Sequence, residues 1–230
     1  MSTEVRELFS RIAPKYDLLN SLLSFSVDRQ WRRQAVSPLT SPQFARVLDL
    51  CAGTLSMSLE LCRKNDTVQI DAVDFSEEML NEGKKRIPFR CQNQIRPFCG
   101  DGLALPFKDR SFDGAMCAYG MRNIDDNPKA LAELYRVIKP GGRLVILEFF
   151  RPDRWVSRLF HATYGHTLIP IIGRLVSRHK NAYKYLHDSV KEFYTSTEYR
   201  GLLHTQGFIK VDITLQSGGV STLITAERAS

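Results

Sequence analysis

The stretch RVLDLCAGT, Arg46 to Thr54, decides the fold. Val47, Leu48 and Leu50 make a short apolar run of strand type, and the small residues Ala52-Gly53-Thr54 break it sharply. A helical pattern follows over 55–65, so the stretch predicts a strand, a tight turn and a helix. Working outward, the same rhythm repeats. Residues 68–74 predict a second strand, and 76–86 a helix with Ser76 as its cap and Glu77 and Glu78 in its first turn. Residues 95–99 predict a third strand, although Pro97 is unfavourable inside a sheet. Residues 112–119 predict a fourth, 127–138 a helix with Pro128 at its first position, and 144–149 a buried strand after a Pro140-Gly141-Gly142 turn. Strands and helices alternating in this way imply right-handed crossovers and a mostly parallel sheet.

The rhythm breaks on both flanks. Residues 1–42 predict an N-terminal helical arm or lid, with Asp28 a candidate helix cap and Ser37-Pro38 to Ser41-Pro42 a linker. Residues 43–230 form the main domain, with a helical insertion at about 151–194, broken at Pro170 and Gly173. A helix at 197–206 stops at Gly207, and 208–215 and 219–226 predict a strand pair around Ser217-Gly218-Gly219. A chain of 230 residues suits one such domain.

The formal net charge is +7. No dense basic run, interleaved aromatic ladder or zinc-finger spacing accompanies it, which disfavours nucleic acid as a partner. The five cysteines, Cys51, Cys62, Cys91, Cys99 and Cys117, show no Cys-x-x-Cys and no metal-ligand spacing. They are expected to be reduced thiols in a cytoplasmic protein, with no metal. Residues 1–11 lack the apolar core of a signal peptide, and no stretch is long and apolar enough to span a bilayer.

The first candidate site is Asp49-Leu50-Cys51-Ala52-Gly53-Thr54. A turn there, after the first strand, is expected to leave backbone N–H groups free beside the point where the strand order reverses. Asp74, ending the second strand, offers two acceptor oxygens to two adjacent ribose hydroxyls. Together these predict a nucleoside ligand without separating a nicotinamide dinucleotide from S-adenosylmethionine. The segment Cys99-Gly100-Asp101-Gly102 to Phe107, with Phe112-Asp113 beyond it, resembles the methyltransferase pattern that reads adenine. Asp101 and the Gly102 backbone are then expected at the exocyclic amine.

A closer resemblance covers nearly the whole chain. Tyr16-Asp17-Leu18-Leu19-Asn20, with Ser24 and Trp31, resembles the N-terminal signature of the ubiquinone/menaquinone biosynthesis C-methyltransferases. Tyr119-Gly120-Met121-Arg122-Asn123 resembles that family's central motif, and Arg136 to Arg143, running on to Glu148, its second signature. Tyr183-Lys184-Tyr185-Leu186, with Ser189, resembles its late tyrosine motif. The resemblance implies a class I, Rossmann-like α/β fold, with a mostly parallel seven-stranded sheet ending in an antiparallel hairpin. It also implies S-adenosyl-L-methionine as cofactor, bound by Gly53, Thr54, Asp74, Asp101 and Gly102. The chain departs from the family where Ala52 and Leu55 replace glycine, Ser56 replaces aspartate, Asp28 replaces histidine and Phe150 replaces a small polar residue. A bulky Leu55 does not readily take a positive φ, so the loop is expected to be reshaped or the cofactor held less tightly.

The implied reaction is methylation of a ring carbon of a polyprenyl quinol, demethylmenaquinol before a ubiquinone-pathway benzoquinol. The ring carbon becomes nucleophilic when a neighbouring O–H loses its proton. Arg122 is the candidate to stabilise the resulting oxyanion, and Asn123 to orient the ring oxygen. Asp17, Tyr183 and His166 are candidate proton acceptors. Two other classes remain: a catalytically weak organising subunit, suggested by Leu55 and Ser56, and a nicotinamide-dependent reductase, disfavoured by Asp101-Gly102 and the hairpin. Apolar and aromatic residues over 155–176, flanked by Arg151, Arg154, Arg158, Arg174, Arg178 and Lys180, suit peripheral contact with an anionic membrane surface. A substrate-pocket wall or a homodimer contact would use the same residues.

Overall fold

The computed structural model describes Ser10, Ala13, Tyr16, Ser21, Ser24, residues 26–152 and residues 180–230, the side chains of 180–184 aside. The body of the predicted insertion therefore lies outside the described residues, as do Asp17, Asn20, His166 and the Tyr183 side chain.

Seven strands form one sheet in the order β3-β2-β1-β4-β5-β7-β6. β1 (Arg46–Leu50) pairs in parallel with β2 (Gln69–Asp74) on one side and with β4 (Phe112–Ala118) on the other. β3 (Ile95–Cys99) pairs in parallel with β2 and ends the sheet, which is where a strand tolerates the missing N–H of Pro97. β5 (Ile138–Glu148) is parallel to β4, while β7 (Ser221–Arg228) is antiparallel to β5 and β6 (Phe208–Gln216) antiparallel to β7. The mostly parallel sheet with a C-terminal antiparallel hairpin is thus as the sequence predicts.

Two expectations along β5 and α1 are corrected. Lys139-Pro140-Gly141-Gly142 is not a turn ahead of the strand but lies inside it: Phe112 pairs with Ile138 and Gly114 with Arg143, so the extra residues bulge. Gly141, at φ +74, supplies the left-handed conformation the bulge needs. Asp28 does not cap α1 (Asp28–Val36). It is buried, accepts from Ser24 Oγ at 2.7 Å, and pairs with Arg32 one turn on.

Side chains alternate across the sheet with the strand period of two. Val47, Met116, Val145 and Leu147 face one buried cluster, shared with α1, α2 (Ser56–Lys64) and α3 (Glu77–Lys84). Leu48, Leu50, Ala115, Cys117, Leu144 and Ile146 face the other, shared with α4 (Asn127–Val137) and α6 (Ser196–Thr205). Burying a leucine or isoleucine in this way contributes roughly 1.5–3 kcal/mol each. α1 is drawn into the first cluster through Trp31, Ala35 and Val36. It is also tied to the far end of the chain, because Trp31 Nε1 donates to Ser217 Oγ at 3.0 Å and Gln216 Nε2 to Gln34 Oε1 at 2.8 Å.

The helix caps are explicit. Ser76 accepts from Met79 N, Asp126 accepts from Lys129 N, and Thr195 with Glu198 forms a capping box. The cysteine expectation fails for two of the five. Cys62 on α2 and Cys91 in the short 3-10 turn Phe89–Cys91 come together with Cα atoms 6.3 Å apart and their sulfurs bonded. Cys51, Cys99 and Cys117 are free thiols. A separation of 29 residues carries no motif, so the pairing is visible only once α2 and the β3 approach are packed. It also removes the cysteine argument for a reducing compartment. Among the described residues no helix is long and apolar enough to cross a membrane, and no cluster suits a metal ion.

Candidate active site

Because β1 to β4 are parallel, their C-terminal ends share one edge of the sheet, and the strand order reverses there between β1 and β4. The residues picked out in the sequence gather along this edge in two groups.

The group beyond β1, β2 and β3 is anionic. Asp74 ends β2, and its Oδ2 accepts the Gly53 N–H at 2.8 Å while Oδ1 accepts the Ser76 N–H at 2.8 Å. The loop amides are therefore not free, contrary to the sequence expectation. Ala52 N donates to Val73 O, Gly53 N to Asp74 and Leu55 N to Ala52 O, which closes the turn on itself and leaves the carboxylate as its polar face. Burial raises the Asp74 pKa against the lowering effect of these backbone donors. Thr54 is buried beside Gly53, with its hydroxyl 3.3 Å from that of Ser56. A second carboxylate, Asp49, lies one strand in. Ser58 donates to its Oδ2 through the hydroxyl at 2.6 Å and the amide at 3.1 Å, while Oδ1 is buried without a partner among the described residues. Burial pushes its pKa up to about 7. After β3, Gly100 N donates to the Asp74 carbonyl, and Asp101 is exposed with Oδ1 accepting from Leu103 N at 2.9 Å. Gly102 packs toward Leu50 and Ile124, which a side chain there would meet at 3.2 and 3.5 Å.

Leu55 does take a positive φ, at +62°, as the residue that opens α2, so the loop keeps its left-handed corner without glycine. The strain of about 1–2 kcal/mol is offset by packing. Leu55 is fully buried, and its Cγ fills the notch over Gly83 of α3, where a Cβ would stand only 2.6 Å away.

The group beyond β4 and β5 is cationic and aromatic. Tyr119 follows β4 at φ +58°, which turns its carbonyl toward the next turn, Met121–Asn123. That carbonyl accepts from Arg122 Nη1 at 3.0 Å and from Asn123 Nδ2 at 3.3 Å. Arg122 is 6% exposed and pairs through Nη1 with Oε1 of the fully buried Glu148, at the end of β5, at 2.5 Å. Its guanidinium carbon lies 5.5 Å from the Phe149 ring centre. Burial opposes its charge, but Glu148 first and Tyr16 next favour it, and the net pKa is raised. Its Nε–H is buried with no acceptor among the described residues. Asn123 Oδ1 accepts the Tyr185 hydroxyl at 2.7 Å, which brings α5 (Lys180–Glu192) and the late tyrosine motif over this turn. Burial raises the Tyr185 pKa.

The described N-terminal residues bond beside the first group and act electrostatically on the second. The Ser10 hydroxyl donates to Glu78 at 2.8 Å, beside Ser76, and Tyr16 couples electrostatically to Arg122 and Arg32. The sequence reading gave no role to Glu148 or Tyr185. A carboxylate closing the apolar run Leu144–Leu147 was the available signal for Glu148.

The model of the ubiE/COQ5 methyltransferase family matches residues 1–228. The chain is 42% identical over 230 residues to a protein of Geobacter sulfurreducens named ubiquinone/menaquinone biosynthesis C-methyltransferase UbiE, covering 97% of this chain and 88% of that one. It is 39% identical over 221 residues to the demethylmenaquinone methyltransferase of Thermus thermophilus, covering 96% and 100%. In fold it resembles the crystal structure of a SAM-dependent methyltransferase from Thermotoga maritima, with a TM-score of 0.66 and 21% identity over 96% of this chain and 99% of that one.

Proposed function

The chain belongs to the ubiE/COQ5 methyltransferase family, and from that premise we propose that this S-adenosylmethionine-dependent methyltransferase methylates a ring carbon of a polyprenyl quinol, demethylmenaquinol. The name of the Thermus thermophilus relative, a demethylmenaquinone methyltransferase matched along its whole length, supports the substrate. S-adenosylmethionine supplies, when bound, a methyl group already activated on a sulfonium. The residues at the anionic edge fit it: two carboxylates, the buried Asp49 and the half-buried Asp74, suit a ligand that carries cationic groups and a vicinal diol. Asp74 would take a ribose hydroxyl, because a carboxylate offers about four lone-pair sites and the backbone amides of Gly53, Phe75 and Ser76 use three. Gly53 and Thr54 would form the floor beneath, and Asp101 with the Gly102 backbone would read the adenine.

The observation that carries the assignment of roles is the buried Nε–H of Arg122, which has no acceptor among the described residues and lies beside the switch point. A phenolic O–H has a pKa near 10, so ionising it at neutral pH costs roughly 4 kcal/mol. Arg122 lowers that cost by offering a fixed donor to the developing oxyanion, and it cannot act as the base because guanidinium keeps its proton. Asn123, held by Tyr185 at one end and the Tyr119 carbonyl at the other, orients the ring. An N-terminal arm lying over both groups would exclude water from the reaction, and the Ser10–Glu78 hydrogen bond and the electrostatic effect of Tyr16 on Arg122 support that reading. Peripheral contact with an anionic membrane surface gives access to the prenyl tail.

The test is turnover with purified protein, cofactor and either a short-chain demethylmenaquinol or a short-chain benzoquinol, with products identified by mass spectrometry. Methylation of demethylmenaquinol at the higher kcat/KM is expected. Methylation of the benzoquinol alone would move the protein to the ubiquinone pathway, and cofactor binding without methylation of either would favour an organising subunit.

A further inference from the structure

Arg122 carries the cationic edge, yet its charge is matched by a carboxylate that no solvent reaches. Glu148 is 0% exposed and all its described contacts point one way. Oε1 takes Arg122 Nη1 at 2.5 Å and the Phe149 N–H at 2.7 Å, and Oε2 takes the Arg122 N–H at 3.3 Å. The carboxylate thus grips Arg122 by both side chain and backbone, and is itself fixed by the chain it ends. The Tyr119 carbonyl holds the same Nη1 at 3.0 Å, and Phe149 lies under the guanidinium plane. With Nη1 committed, the guanidinium cannot rotate about its axis without breaking a charge-assisted bond, and the Nε–H, which has no acceptor among the described residues, keeps one direction.

We propose that Glu148 is a positioning residue for methyl transfer, fixing Arg122 so that it acts on the quinol oxygen as an aimed hydrogen-bond donor rather than as a diffuse positive charge. This rests on the quinolate role given to Arg122. Two physical effects oppose each other. Removing the carboxylate would leave Arg122 with a larger net charge, which favours an oxyanion. It would also leave a buried guanidinium without its counter-ion, held by the Tyr119 carbonyl alone and free to turn about that single bond. A displacement of about 1 Å in a positioning group costs roughly 100-fold in rate, whereas a small gain in field is diluted once the donor no longer points at its target. Orientation wins.

The experiment is a double-mutant cycle read on kcat, with cofactor affinity measured in parallel by calorimetry and folding checked by thermal unfolding. Glu148→Gln keeps the side chain's size and removes its charge. It is expected to lower kcat about 10- to 100-fold while changing cofactor affinity less than about 2-fold, since the carboxylate touches only the cationic group. In the Arg122→Met background the same change is expected to alter kcat less than about 2-fold, because no guanidinium remains to be aimed. Glu148→Asp, which keeps the charge but withdraws it, is expected to fall between. If Glu148→Gln does not fold, the cycle runs on Glu148→Asp, with Arg122→Met/Glu148→Asp as its double-mutant corner. An unchanged or raised kcat in Glu148→Gln or Glu148→Asp, or equal losses with and without Arg122, overturns the proposal. Full turnover in Arg122→Met alone would instead remove the quinolate role on which it rests.

Discussion

Asp49 shares its face of β1 with Val47, and Ser58 of α2 answers only one of its two oxygens. Burial therefore holds its pKa at about 7, well above the ordinary carboxylate value near 4. Between those two values the folded protein keeps a proton that the unfolded chain has released. The stability contributed by this group is thus fully present below about pH 4 and is lost as pH rises toward 7, with a slope of at most about 1.4 kcal/mol per pH unit. Asp49→Asn removes the titration. Urea unfolding of both proteins between pH 4 and 7 is expected to show the variant gaining on the parent steadily as pH rises; parallel curves would remove the buried-carboxylate account. Asp49, Asp74 and Arg122 were legible in the sequence as polar residues in or beyond the C-terminal ends of strands. Their pairings were not, because Arg122 and Glu148 are 26 positions apart and meet only where β4 lies beside β5.

α2 and α3 set the shape of the loop at residues 53–55, the proposed cofactor loop, which packs against both. The strand–helix rhythm, Ser76 as cap and the hairpin around Ser217 to Gly219 were legible because each is a local signal. The Thr195-Ser196-Thr197-Glu198 capping box was equally local and places the start of α6 just ahead of the predicted helix. The loop corner was not legible. A leucine at positive φ looks forbidden until Gly83, 28 positions away, is seen to leave the space its side chain fills. Gly83→Ala tests this at the scale of the element. Alanine is the better helix former by about 1 kcal/mol, yet its Cβ would stand 2.6 Å from Leu55 Cγ and 2.8 Å from the Thr54 carbonyl carbon. Overpacking of that kind costs about 1–3 kcal/mol. The expected outcome is a net loss of stability in chemical denaturation together with weaker cofactor binding, because the loop that must shift is the one that holds Asp74. A variant more stable than the parent with unchanged affinity would show that Leu55 and Gly83 are not fitted to each other.

Across the whole molecule, the parallel sheet carries one ligand-bearing edge, with the anionic group beyond β1 to β3 and the cationic group beyond β4 and β5. The mostly parallel sheet follows from the alternation of elements; the order of its strands was not legible, and the body of the predicted insertion at about 151–194 lies outside the described residues. Its arginines and apolar residues motivate a test on lipid. Co-sedimentation with anionic vesicles is expected at low salt and to weaken at high salt, each basic group near the surface adding about 1 kcal/mol. Replacing Arg151, Arg154 and Arg158 with Glu is expected to abolish it, and binding that ignores those changes would point away from this segment. The division of labour along the edge is the central claim, and single-turnover methyl transfer measured beside cofactor calorimetry tests it most directly. Asp74→Ala is expected to weaken cofactor binding by about 2–3 kcal/mol and to retain much of its single-turnover rate once saturated. Arg122→Met is expected to bind cofactor nearly as the parent does and to lose about 100-fold or more in that rate at saturation. The opposite pattern, cofactor affinity lost with Arg122 and rate lost with Asp74, would contradict the account.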